Sequence, residues 1–325
     1  MQPAALVRRI PLSPHQWTSR ITPASDIFIL SHMGTPQFEV SDWRLEVCGE
    51  VKHSLSLSIS EILKLKKTSV TSFHQCAGFP KDPTIATRRL ANAVWSGVAI
   101  ADILAIAGLS ENARYVWSYG LDFGEYEGIK AENYVKDIPL DRAMRGDTIL
   151  AYEVNGEQLD KDHGYPLRLV VPGYYGTNWV KWICRLEVSG IRYDGLFTRN
   201  LYNDPITGSK TGQSKPVWAV SPESAIVAPS PGATIDSETV TVWGWAWGEG
   251  EIVSVEISAD DGVSWREAVL EAPSENSWRR FSIEWVPSSA GQYSLMSRAK
   301  NVAGEVQPLE AWRNSVRVIS VTVKR

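Results

Sequence analysis

Hydrophobic and polar positions alternate with a period of two along much of the chain, and a helical period replaces that alternation in only a few places. Trp43, Leu45 and Val47 alternate with Arg44, Glu46 and Cys48, and Leu55, Leu57 and Ile59 repeat the pattern against serines, predicting two half-buried strands. Ser60 is placed to cap a short helix running from Glu61 into Lys66. The β-prone residues 68–73 predict a strand that delivers Cys76 at its end, where a loop stands on rigid support. Ile100, Ile103, Leu104 and Ala107 fall at helical spacing, with Gly108 as the stop. Residues 114–122 read as a strand ending in Asp122, and Pro139 opens a helix over residues 140–144. Residues 150–154 lead into Asn155-Gly156, a strong hairpin signal. Turn clusters at 162–166 and 172–176 flank an apolar strand at 167–171. Strict alternation over 179–188 predicts a strand with Trp179, Lys181, Ile183 and Arg185 on one face and Val180, Trp182, Cys184 and Leu186 on the other.

The ends and joints differ in texture. Residues 1–40 carry five prolines and predict an extended arm that ends at 25–32. Pro205, Pro216, Pro222, Pro229 and Pro231 make residues 195–235 a linker without long regular elements. Short alternating strands over 239–323, separated by turn clusters at 260–262 and 288–291, predict a β-sandwich. Seven of the fourteen tryptophans fall in that region and read as wide fillers between its two sheets.

At 325 residues the chain exceeds one ordinary core, so two domains are expected. The net charge is -4, with no basic block long enough to track a phosphate backbone, which argues against nucleic acid. Residues 1–235 balance at 24 basic against 24 acidic side chains, whereas residues 236–325 hold 9 against 13, so the acidic excess is C-terminal. Cys48, Cys76 and Cys184 are too few for a disulfide framework and fit a reducing compartment. The N-terminus lacks an apolar run after Arg8 and Arg9, so a secretory signal is not expected and a cytoplasmic location is. No stretch approaches the roughly 20 apolar residues of a membrane helix.

The usual chemical signatures are missing: no GxGxxG, no phosphate loop, no HExxH, no CxxC and no CxxCH. The five histidines, His15, His32, His53, His74 and His163, show no ligand spacing. Cys76, in Ser72-Phe-His-Gln-Cys-Ala-Gly78, is the remaining candidate centre. A thiolate is both a soft metal ligand and a good nucleophile, although a lone cysteine more often packs as a small hydrophobe. If Cys76 binds a metal, an organic cofactor with its own chelating groups must supply the other ligands.

Seven segments, taken in order, point further: 28–32, His74-Gln-Cys-Ala-Gly78, Trp95-Ser-Gly97, Asp122, 152–156, Asp162-His-Gly-Tyr-Pro-Leu-Arg168 and Trp179-Val-Lys-Trp182. Together they resemble the sulfite oxidase family of molybdenum enzymes. The resemblance covers most of the chain and includes Gly244-Trp-Ala-Trp247 and residues 258–265, which look like the family's immunoglobulin-like dimerisation domain. It implies an α+β chain, with a mixed α/β molybdopterin-binding domain over 1–220 and an all-β immunoglobulin-like sandwich over 221–325. It also implies a molybdenum atom held by the dithiolene of one molybdopterin and by Cys76. Phe28, His32, Asp122, His163, Arg168 and Lys181 would hold the pterin and its phosphate. Cationic Arg168 and Lys181 suit a phosphate, and neutral histidine and anionic aspartate suit pterin nitrogens. Tyr202 matches the family's active-site tyrosine, and Phe197 stands where tryptophan is usual.

The implied reaction is two-electron oxygen-atom transfer on sulfite or another small oxygen acceptor. With no haem motif present, electrons would leave to a separate acceptor such as a cytochrome, from a homodimer. A non-catalytic cofactor carrier or storage protein is the alternative. Departures from the family concern the substrate, because guanidinium groups match an oxyanion's geometry. Leu30, Lys81 and Glu251 stand where arginines are expected, and Glu251 would repel a dianion. Lys81 itself, with Arg88 and Arg89, is available to refill that charge.

Overall fold

The computed structural model describes residues 6–9, 11–78, 89–206, 213–236 and 238–324. The N-terminal part is built on two sheets. One runs, in spatial order, Val135–Pro139, Tyr115–Gly120, Ile183–Ser189, Leu45–Gly49 and Leu55–Leu57. Among the described residues, its only parallel neighbours are Ile183–Ser189 and Leu45–Gly49. The other is antiparallel: Glu157–Gln158, Ile149–Val154, Leu90–Ala99, then Lys67–Gln75, with Arg168–Val170 added along Ile149–Val154. The C-terminal part is a sandwich. Glu223–Ala228, Val240–Trp247, Arg279–Trp285 and Val269–Leu270 form one face; Thr234–Ile235, Val318–Val323, Gly291–Asn301, Ile252–Ser258 and Arg266–Glu267 form the other. The chain is thus an α+β fold followed by an all-β one.

Most elements follow from local pattern. The helix Ile100–Ala107 buries Ile100, Ile103, Leu104 and Ala107, the four positions at helical spacing, and stops at Gly108. Asn155 and Gly156 take φ of 52° and 84°, the left-handed pair that a two-residue hairpin needs, and join Ile149–Val154 to Glu157–Gln158. Leu45 and Val47 are fully buried while Glu46 is exposed. In the arm, Leu6–Arg9 pairs with Ile29–Ser31, and Trp17 is buried.

Three expectations are corrected. The first short helix is Ile59–Ile62, and its cap is Ser58 rather than Ser60. Ser58 lies three residues before Glu61, so hydroxyl and carboxylate can each take the other's backbone N–H. The alternation over 179–188 holds only from Ile183 onward, because Trp182 has φ of 50° and turns the chain there. In the expected linker, Pro222 and Pro229 bracket rather than break a six-residue strand, Glu223–Ala228, that belongs to the sandwich.

The C-terminal tryptophans also depart from expectation. Of the seven, only Trp285 sits in the sandwich's own core. Trp245, Trp247 and Trp278 belong to the core of the N-terminal part, where Trp17 meets Trp247 and Trp278 at 5.9 and 5.8 Å between ring centres. They seal one domain onto the other. The same face covers the free edge of Lys67–Gln75: the Phe73 N–H donates to the Asn276 carbonyl (3.1 Å) and the Thr71 N–H to the Glu275 carboxylate (2.9 Å). The strand that carries Cys76 is therefore held from both sides. Trp247→Ala is expected to cost about 3–5 kcal/mol, as other buried tryptophan truncations do, read as a lowered midpoint in denaturant unfolding.

Candidate functional site

A cleft enclosing about 660 Å³, part of it open to solvent, lies where the second sheet, the arm and the turns after Asp160 meet. Phe28, His32, Cys76, Asp122, His163, Arg168, Lys181 and Tyr202 all line it. Lys81 and Arg88 lie outside the described residues.

Cys76 follows directly on the strand Lys67–Gln75, which pairs along its whole length with Leu90–Ala99. The Cys76 N–H donates to the Arg89 carbonyl at 2.9 Å. Its sulfur receives the Gly78 N–H at 3.4 Å and Arg89 Nη1 at 3.8 Å. Gln75 is locked by the sandwich: Trp247 Nε1 donates to its Oε1 (2.9 Å), and its Nε2 donates to Glu223 (2.7 Å). The position of the thiol is thus set by backbone pairing and by the second domain.

A cationic end faces it. Arg168 is 2% exposed and sits over Trp95 and Trp179, at 4.8 and 5.8 Å from their ring centres. Its Nη1 donates to the His163 carbonyl at 3.1 Å. Lys181 Nζ donates to the Asp162 carbonyl at 2.8 Å and lies 4.1 Å from the Trp182 ring. Gly164 makes this crowding possible: its φ is 110°, and an added Cβ would come within 3.0 Å of the Arg168 Cβ and 3.2 Å of that of Lys181. Burial lowers the Arg168 pKa to about 9. Burial also pushes Lys181 down, with Arg168 adding to the effect and nearby carboxylates opposing it. Asp122 is pushed up by burial against the pull of Lys181, so it keeps a proton more readily than the anion expected of it.

The third wall is aromatic. His32 Nε2 and the Tyr202 hydroxyl are 2.5 Å apart, and the His32 ring stacks on Tyr134 (5.0 Å, 21°). Burial, with Lys181 and Lys136 nearby, lowers His32 to about 3, so the imidazole is neutral at physiological pH. Burial raises the Tyr202 phenol well above its ordinary value, so it keeps its proton. Tyr202 itself has φ of 58°, and Phe197 packs on Tyr134 at 4.4 Å behind it.

The cleft's own polar atoms test what it could hold. His163 Nε2, Arg168 Nε and His74 Nδ1 are buried and have no hydrogen-bond partner. One buried and one half-buried cation, with three such atoms, around one cleft fit a group that is polar, hydrogen-bonding and anionic at one end, as a pterin phosphate is.

Sequence reading missed two contributors. His74 is buried between Phe28 (4.8 Å) and Trp179 (4.4 Å), in a stack that also lines the cleft. The last four residues of its strand are all buried, so alternation carried no signal there. Arg313, from the sandwich, donates through Nη1 to the Ala77 carbonyl and through Nε to Asp204 at 2.6 Å. It lies 236 positions from Ala77, and nothing local announces it. Glu251 is corrected: it pairs with Arg279 at 3.2 Å and lines a separate cavity, because the turn after Trp247 faces the loop 273–279. Leu30 does line the cleft.

The titration shifts predict a pH dependence. Burial holds Lys136 at about 7, below its ordinary 10.5, and Lys181 moves the same way. The unfolded chain then binds more protons than the fold between pH 7 and 10, so stability rises with pH across that window. Cofactor-free protein is expected to melt at a higher temperature at pH 9 than at pH 7 in a scanning melt, with the rise reduced in Lys136→Met. A flat or falling profile would contradict this.

Residues 32–197 match the family described as Oxidoreductase molybdopterin binding domain, and residues 214–322 match the Mo-co oxidoreductase dimerisation domain. The mitochondrial sulfite oxidase of Drosophila melanogaster is 32% identical over 320 residues, 88% of this chain and 55% of that protein. The sulfite oxidase of Gallus gallus is 32% identical over 317 residues, 89% of this chain and 68% of that protein. The chain therefore spans little more than half of some of the relatives it matches. Among solved structures, the sulfane dehydrogenase SoxCD from Paracoccus pantotrophus superposes with a TM-score of 0.80 at 27% identity, covering 94% of this chain and 82% of that one.

Proposed function

The chain belongs to the sulfite oxidase family of molybdopterin-binding oxidoreductases, and from that premise we propose that it oxidises a small sulfur compound, with Cys76 as the metal's protein ligand. The observation that carries the reading is the single cleft that gathers a thiol, the buried Arg168 and half-buried Lys181, and a neutral histidine–tyrosine pair. When bound, the cofactor supplies two-electron redox chemistry with transfer of an oxygen atom.

The chain's residues bind and orient. Arg168 and Lys181 hold the phosphate, and their aromatic undersides keep both cations aimed and dry. His163, fixed through Nδ1 by the Asp160 carboxylate at 2.8 Å, offers its free Nε2 to the pterin. Asp122, Phe28 and His32 complete the cradle. Tyr202 presents a protonated phenol as a hydrogen-bond donor to the substrate. Arg89 supplies positive charge beside the sulfur, whereas Arg313 beside Ala77 is paired with Asp204.

With sulfite the reaction takes up one oxygen atom from water and releases sulfate, two electrons and two protons. The electrons pass to a separate carrier such as a cytochrome, and two copies pair through the C-terminal domain. A less charged sulfur donor, of the sulfane kind named for the Paracoccus protein, is a second reading favoured by Leu30 in the lining. Steady-state reduction of an artificial acceptor by the cofactor-loaded protein separates them. Turnover with sulfite supports the first, turnover only with an alkyl persulfide supports the second, and turnover with neither sinks both.

A further inference from the structure

Among the described residues Lys136 is the most deeply buried lysine, at 1% exposure. It stands on the edge strand Val135–Pro139, behind the wall that Phe197 and Tyr202 form. Its Nζ donates to the Phe197 carbonyl at 2.6 Å and lies 5.3 Å from the centre of the Tyr202 ring. The adjacent carboxylate, Asp137, favours its charge through space, but the bonds that carboxylate makes go elsewhere. Asp137 is taken by Arg192, at 2.8 and 3.1 Å, and by the Tyr193 N–H at 3.2 Å.

Burying an ammonium with so few acceptors is costly, and an apolar side chain of the same length would fill the space more favourably. What Lys136 adds is a grip on two points that fix one phenol. Phe197 belongs to the wide turn Leu196–Asn200, which closes when the Leu201 N–H reaches back to the Leu196 carbonyl at 2.9 Å. Immediately after that turn comes Tyr202, in a left-handed conformation that a bulky residue seldom adopts without support. Lys136 ties the turn through the Phe197 carbonyl, which its Nζ–H can do in either protonation state. It ties the ring through cation–π attraction when charged. A cation on that side of the phenol also favours negative charge drawn toward its oxygen, and so strengthens Tyr202 as a donor.

We infer that Lys136 is a positioning residue for Tyr202, holding the phenol against His32 and facing it to the substrate. The inference rests on the reading that Tyr202 faces the substrate, and one readout is independent of turnover. In cofactor-loaded protein carrying 13Cζ-labelled tyrosine, with Tyr202→Phe assigning the signal, Lys136→Met is expected to shift or broaden the Tyr202 resonance. Lys136→Gln keeps a donor for the Phe197 carbonyl without the charge, and should return the resonance toward its wild-type position. On whichever sulfur donor is turned over, kcat should fall at least about tenfold in both variants, with KM changed far less. A Tyr202 resonance that superimposes on wild type in folded Lys136→Met, or in Lys136→Leu if the methionine variant does not fold, overturns the inference whatever the activity. If no substrate is found, the proposed function fails while the resonance still decides the role of Lys136.

Discussion

Purified Cys76→Ala protein is expected to contain almost no molybdenum and to show no turnover above background. The loss should exceed the roughly 10–100-fold that removing a supporting partner of a metal ligand costs, because here the ligand itself is gone. The substitution isolates the sulfur. The backbone at Cys76 is fixed by the nine-residue strand before it, by its own N–H to the Arg89 carbonyl, and by the clamp on Gln75 from Trp247 and Glu223. Fold and circular dichroism should therefore stay as in wild type, and the melting temperature of the cofactor-free protein should barely move. Cys48→Ser and Cys184→Ser are the controls. Both side chains lie on the first sheet outside the cleft lining, and both variants should keep their metal. Metal analysis of the four proteins reads the difference, and metal retained in Cys76→Ala would remove the thiol from the site.

Arg168→Met should divide two properties that usually fall together. Arg168 is buried between Trp95 and Trp179, its Nε has no partner, and burial pulls its pKa down to about 9. Such a cation burdens the empty fold, so an unbranched apolar side chain should leave the cofactor-free protein as stable or more so. The bound phosphate, by contrast, loses a guanidinium whose planar donors match it. Cofactor content after purification should fall by about 10–100-fold. Pterin fluorescence after acid release, set beside a melt of the empty protein, checks both signs. Unchanged pterin content would show that Arg168 is a structural stack and nothing more.

How much of this was legible beforehand depended on whether the signal was local. The helix Ile100–Ala107 and the Asn155-Gly156 hairpin were readable because spacing and turn chemistry lie within a few residues. The eight site residues were named from motif order, but that they share one cleft is a product of crossovers no window contains. The strand 179–188 was misread because nothing in the alternation announces a tryptophan at φ of 50°. That kink is what separates Lys181, turned to the Asp162 carbonyl, from the regular strand that begins at Ile183. Trp245, Trp247 and Trp278 read as sandwich filler because an alternating strand has two buried faces when another domain covers the second. Arg313 and Lys136 were invisible for the same reason: each owes its role to a partner on a distant element. Glu251 misled in the opposite direction, since its place in the sequence suggested the cleft and its fold position is beside Arg279.

The measurement closest to the central claim is the molybdenum and pterin content of the wild-type chain, purified from cells that synthesise the cofactor. One molybdenum and one pterin per chain is the result the cleft predicts. Protein that folds, yet emerges with neither while a known molybdenum enzyme from the same cells is loaded, would contradict it.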